Sequence, residues 1–328
     1  MDKAAEKKEK DKQKRLDTRK KLMMAGMAEL SLWLHDLLRA GLITLPDKPR
    51  AYFEAMDRRL VDAKCPGMAA LVKSLRDLDY KSGEQWQDLA LDLIGRMWMG
   101  IKGFERLEAL PEVVQTDLKT LAGWGPGPKE VMESPDVTAV KDHWLVAART
   151  TEVVDDITAQ RNWLFGLHTG QWALVLNFAF KKMPIETRLE PGQAFDGTVA
   201  WFPATSPLRA VVREQGVVVT PQHSLQPLEG WQAVEQHIAG MLAQSPLVEQ
   251  FPVFVQGLTP LYHEGNPVVV DRYNFVIPLE KSPDAIPFLR LLAVSGGTPL
   301  DMLLLVSPKS ITVMGCFYAE QYTLVLST

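Results

Sequence analysis

Cysteine is almost missing. Cys65 and Cys316 are the only two in 328 residues, so no disulfide framework can staple the chain, and in a reducing compartment both read as bystander thiols. Dedicated zinc binding lacks its spacing as well. His35, His143, His168, His223, His237 and His263 show no C-x-x-C, H-x-x-x-H or C-x-H pattern, so no metal and no cofactor is expected. No apolar run approaches the roughly 20 residues that span a bilayer. The N-terminus is charged and has no apolar core of a secretory leader, so a soluble, cytoplasmic protein is the expectation.

Nucleotide and covalent chemistry lack their signatures too. Gly123-Trp124-Gly125-Pro126-Gly127-Pro128 has no Lys-Ser/Thr of a phosphate loop, and its prolines remove amides that would cradle phosphate. It reads as a linker. Ser295-Gly296-Gly297-Thr298 reads as a tight connection, because Pro299 and the strand-like stretch that follows deny it a helix N-terminus. Ser206, Ser295 and Ser307 stand in no G-x-S-x-G turn.

What the chain does have is core-forming sequence and an uneven charge. Hydrophobic residues make up 46% and charged residues 23%, with nine Trp, which is a globular composition. From Lys3 to Lys21, eight Lys and two Arg stand against Asp2, Glu6, Glu9, Asp11 and Asp17, so the lead carries a surplus of five positive charges in a chain of net −4. Its Lys7, Lys8, Lys10, Lys12, Lys14, Arg15, Arg19, Lys20 and Lys21 are candidate phosphate contacts. The interleaved acids suit a solvated helix with i,i+4 pairs better, and no aromatic residue interrupts the lead to stack a base.

The apolar pattern changes period along the chain. Met23, Met27, Leu30, Leu34 and Leu37 recur at spacings of four and three, predicting a helix that starts near Ala25, with Gly26 fraying its lead, and stops at Gly41. Asp47 and Pro49 offer a cap for a second helix bearing Phe53, Met56 and Leu60, which Cys65-Pro66-Gly67 breaks. Met68 to Leu78 marks a third, Ser82 with Gln85 resembles a capping box before a fourth at Trp86 to Ile101, and a fifth follows Pro111. Beyond residue 140 the period becomes two. Trp163, Phe165 and Leu167, then Thr169-Gly170, then Trp172, Leu174, Leu176 and Phe178 predict a β-hairpin, and Phe195 to Trp201 with Leu208 to Val212 extends it to a meander of about four strands. The stretch from His143 to Ile157 could start as a strand and finish as a helix belonging to either half. Trp231, Val234, Ile238 and Met241 share a helical face that would cover the meander, and strand-like runs occupy 251–262, 268–279, 286–294, 300–306, 310–318 and 321–326.

Helices first and strands after argue for an α+β fold: a helical part followed by a mostly antiparallel β-rich part with at least one covering helix. The expected divisions are a charged lead at 1–21, a helical domain at 22–125, a linker at 126–140 and a β-rich domain at 141–328. Trp33, Trp86, Trp163, Trp172 and Trp231 are read as core anchors.

Few polar residues suggest a site. Asp155 and Asp156, with Glu152 upstream, offer paired carboxylates for acid–base work, although adjacent acids ordinarily sit in solvent. Arg161 precedes Trp163 by two, on one strand face, where guanidinium and indole can stack. With His168, these residues are the dispersed polar cluster an enzyme reading would use.

At AELSLWLHDLLRAGL, RLVDAKCPGMAALVKSL, RNWLFGLHTGQWALVLNFAF and SPLRAVV the chain resembles the region following the zinc finger in bacterial SWIM zinc finger family proteins, over most of residues 20 to 328. In that family a C-x-C then C-x-H finger precedes a Lys/Ala/Glu-rich connector, and this sequence begins within the connector. The four zinc ligands are not in it, so none is carried over. The resemblance implies bacterial systems with a MoxR-type AAA+ ATPase and a von Willebrand factor A protein. It therefore implies an adaptor role through protein partners. The expectation is a non-enzymatic interaction protein; a nucleic-acid-associated protein using the basic lead is the alternative, and an enzyme with a site not readable from sequence is the third.

Overall fold

Helix-forming Lys, Glu and Ala carry the first element far beyond its buried stripe. In the computed structural model, which describes residues 3–81, 85–154, 156–181, 183–185, 187, 189–220, 226–280, 285–318 and 321–325, leaving aside the side chains of 3–9, 12, 85 and 154, helix α1 runs unbroken over Lys3–Ala40. The expected start near Ala25 is corrected. Gly26 does not fray the helix, because it is buried where a β-carbon would lie 2.5 Å from that of Ala63, so it serves as a close contact with the end of the second helix. Gly41, at φ 87°, does end α1.

Helices α2 (Arg50–Asp62), α3 (Pro66–Arg76), α4 (Gln85–Glu105) and α5 (Glu112–Leu121) complete the helical part. Asp47 does not cap α2; Pro49 occupies that position without a side-chain bond. Pro66 opens α3, where its missing N–H costs nothing. The Ser82 half of the expected capping box lies outside the described residues. Met23, Met27, Leu30, Leu34 and Leu37 from α1 meet Phe53, Met56, Leu60, Val72, Leu75, Met97 and Ile101 in a single apolar core. The chain divides into two compact units, Met1–Pro126 and Gly127–Thr328.

The second unit opens with a short helix, α6 (Pro128–Glu133), inside the stretch read as linker. Its Val131 is buried with Ala200, Phe202 and Val211. Strands β1 (Ala139–Val154), β2 (Ile157–Gly166), β3 (Trp172–Phe180), β4 (Ala194–Trp201) and β5 (Arg209–Val219) form a closed barrel in the order β1-β2-β3-β5-β4, with β4 returning to β1. The ambiguous stretch at 143–157 is thus mostly one long strand, bent by an irregularity between Val146 and Ala148. The hairpin of β2 and β3 is antiparallel as expected. A four-stranded meander is corrected to a five-stranded barrel, closed by a short parallel pairing of Leu174 and Val175 with Arg209 and Ala210.

Trp144, Val146, Leu164, Val175, Phe195 and Trp201 fill the barrel. Both indoles are satisfied, Trp144 Nε1 donating to Gly197 O at 3.1 Å and Trp201 Nε1 to Trp172 O at 3.0 Å. The second sheet has the order β11-β10-β9-β6-β7-β8, from β6 (Phe251–His263), β7 (Asn266–Val270), β8 (Val276–Pro278), β9 (Leu300–Val306), β10 (Ile311–Tyr318) and β11 (Gln321–Leu324). Helix α7 (Trp231–Gln244) packs Val234 against this sheet, not against the barrel. What covers the barrel is the sheet itself: Leu145, Trp163 and Phe165 pack on Phe254, Leu303, Met314 and Phe317. The run at 286–294 is a helix, α8 (Ile286–Ser295), opened by Pro287 and ended by Gly296 in the left-handed region. The architecture is α+β, helical first and mostly antiparallel β after.

Candidate functional site

Three places in the fold gather functional side chains. The first begins at Asp142, which β1 places in the inward register with Val140, Trp144 and Val146. A lone carboxylate there must be satisfied by hydrogen bonds. It accepts from the backbone amides of His143 (2.6 Å), His168 (3.1 Å) and Thr169 (2.9 Å), from the Thr169 hydroxyl (2.7 Å), and faces His168 Nδ1 at 2.7 Å. Burial pushes its pKa up, but the bonds from Thr169 and His168 outweigh this and hold it below the ordinary value. Because an ionised carboxylate only accepts, Nδ1 of His168 donates to it, leaving Nε2 as the ring nitrogen not engaged by Asp142. His168, largely exposed, lies on the wall of a cavity of about 370 Å³ shared with Phe165, Trp172, His237 and Phe254. The arrangement can offer a ligand there a hydrogen-bonding imidazole nitrogen. Sequence reading found His168 and missed Asp142; the available signal was a charge inside an alternating apolar run.

The structure separates His168 from its expected companions. Arg161 lies on the outer face of β2, and its Nη1 donates to Glu152 at 2.9 Å, so Glu152 and not the Trp163 ring engages the guanidinium. The two line a cleft of about 420 Å³ with Thr150, Glu280, Ser307 and Thr312. Asp156 sits exposed in the β1–β2 turn, where its carbonyl accepts from Lys181 N; Asp155 lies outside the described residues. Arg161 lies in the middle of β2 and His168 in the turn beyond its end, with the five residue steps from Arg161 to Gly166 spanning about 17 Å of strand.

The second place is the outer face of the β2–β3 hairpin near that turn. Cross-strand pairing sets Ile157 beside Phe180 and Ala159 beside Phe178. Phe178 and Phe180 are 60% and 55% exposed, Ile157 and Met183 are exposed as well, and Lys181 lies 5.3 Å over the Phe180 ring. The same strands cover Trp163 and Phe165 with the second sheet but leave these rows open.

The third lies along α1. Lys14 and Arg15 are exposed and Arg19 half-buried beside the corner between α2 and α3; Lys20 is paired with Glu108, Lys10 and Lys21 face solvent, and the side chains of Lys7, Lys8 and Lys12 lie outside the description. Arg19 Nη2 donates to Gly123 O at 3.2 Å, and its guanidinium lies 5.1 Å over the Trp124 ring.

Neither cysteine adds reactivity. Burial pushes both thiols up to about 11, Arg19 only partly opposing this at Cys65. Among the described residues no group of three or more His, Cys, Asp or Glu is arranged to hold a metal, and no helix is long and apolar enough to cross a membrane.

No curated protein and no solved structure matches the chain. A family model does, over the helices α2 to α5 and most of α1. Residues 18–122 match the family model of a SWIM-associated four-helix bundle domain.

Proposed function

We propose that the protein is a non-enzymatic adaptor, working with protein partners of the kind its resemblance implies, a MoxR-type AAA+ ATPase and a von Willebrand factor A protein. The observation that carries this reading is the open end of the β2–β3 face, where Ile157, Phe178 and Phe180 form one exposed apolar patch. Exposed apolar side chains grouped in this way, as opposed to scattered, are the mark of a surface that another protein covers. The tagged full chain, incubated with bacterial cytosol, is expected to retain a specific protein at physiological salt. Phe178→Asp with Phe180→Asp is expected to lose it without shifting the melting temperature. Retention of nothing specific by the unaltered chain overturns the reading.

A second reading has its own observation. A five-stranded barrel ordered β1-β2-β3-β5-β4 has the Greek-key architecture of oligonucleotide- and oligosaccharide-binding barrels, whose β2–β3 face takes the ligand. Phe178 and Phe180 would then stack bases, with the basic lead adding phosphate contacts. Residues 127–328 carry 13 Lys and Arg against 20 Asp and Glu, a net of −7, which opposes a polyanion. Salt-sensitive binding of a single-stranded oligonucleotide, lost on deleting residues 1–21, is what this reading requires.

A further inference from the structure

Helix α1 presents a second surface of different chemistry. Asp11, Lys14, Arg15, Thr18, Arg19 and Leu22 follow one another at three and one residues, which places them on one face of the helix. That face is one wall of an open groove of about 820 Å³. The other wall is the corner between α2 and α3: Val61 in the last turn of α2, Lys64, and Pro66 at the start of α3. Lys64 has φ 64°, a backbone conformation that L residues seldom adopt, and the tight corner imposes it.

The lining separates by polarity. Leu22 and Val61, 42% and 50% exposed, supply an apolar floor together with Pro66. Among the described residues of the lining, Lys14, Arg15, Arg19 and Lys64 supply four cations against the single carboxylate of Asp11. Arg19 Nε is buried and has no hydrogen-bond partner. From Asp11 to Leu22 the helix rises about 16 Å, the length of three turns of a partner helix.

We propose that this groove binds an amphipathic helix of a partner protein, with its apolar stripe on Leu22 and Val61 and flanking Glu or Asp residues against the four cations. A helix laid in a groove by i, i+4 apolar anchors is a recurrent mode of recognition, and the charge surplus selects an acidic one. Nucleic acid fits less well. Among the described residues no aromatic side chain lines the groove to stack a base, the floor is apolar, and Asp11 opposes phosphate. The inference rests on the adaptor reading and adds to it the chemistry of a partner.

The test is a titration of the full chain into fluorescently labelled synthetic peptides of about 16 residues. One peptide carries Leu at i, i+4 and i+7 with Glu on both flanks; a second replaces Glu by Lys; a third is polyglutamate. The first is expected to bind, the other two to bind at least about tenfold more weakly. Lys14→Glu, Arg15→Glu and Lys64→Glu combined should weaken the first peptide by about tenfold or more, and Val61→Asp should weaken it separately, with melting temperatures unchanged. Equal binding of polyglutamate, tighter binding of a single-stranded oligonucleotide, or indifference to the charge reversals overturns the proposal. The same charge-reversed chain goes through the cytosol experiment. If unaltered and reversed chains retain the same proteins, the groove proposal falls and the adaptor reading stands; if neither retains any, the adaptor reading falls.

Discussion

Asp142 shows how one residue can fix a local structure and carry a pH dependence. Its buried carboxylate ties the β2–β3 connection at His168 and Thr169 to the inside of β1. Asp142→Asn retains the shape but turns one acceptor into a donor facing other donors, so a loss of about 2–3 kcal/mol is expected. The folded-state pKa lies below the ordinary 3.8, so this stabilisation is complete above that value and disappears as pH falls through the folded value. Urea unfolding should therefore show wild type and variant well separated at neutral pH and converging below about pH 3.8. A separation that persists unchanged at low pH contradicts an ionised Asp142. The residue was legible only in part. Its apolar neighbours at alternate positions mark the inward register, but which donors meet it depends on the return of β2, which no local pattern encodes.

At the scale of elements, glycines mark where helices touch. A β-carbon on Gly67 would lie 1.9 Å from Leu121 O, and Gly67 N already donates to Ala122 O at 3.2 Å, so α3 begins in direct contact with the end of α5. The obstacle is backbone, which cannot rotate away. Gly67→Ala is expected to cost about 2–3 kcal/mol, at the upper end of overpacking, read as a lower urea midpoint with unchanged slope. The helices of the first unit were legible because their stripes repeat within each element. The β2–β3 hairpin was legible for the same reason, with Thr169-Gly170 between two alternating runs. The parallel closure of β3 on β5 was not, since Leu174 and Arg209 are far apart in sequence and nothing near either names the other. Residues 286–294 misled because an apolar run has no visible period; Pro287 near its start and Gly296 at its end were the usable helix signals.

At the scale of the whole molecule, each unit contains its own core. Buried apolar residues between Met23 and Ala122 form that of the first, and those between Val131 and Val325 form those of the second. Each is long enough to be a domain. Residues 1–126 and 127–328, expressed separately, are therefore expected to fold, each giving a cooperative unfolding transition by circular dichroism. The units also differ in charge: with −7 on residues 127–328 and −4 overall, residues 1–126 carry +3. On the proposed adaptor reading, a cation-rimmed groove on one unit and an apolar strand face on the other would hold two partners together through the chain that joins them. Cutting that chain removes the effective concentration, not the surfaces. Each half should thus still retain its own partner in a pull-down, while only the intact chain brings both down on one tag. Recovery of both partners by either half alone would mean that a single unit carries the whole interaction.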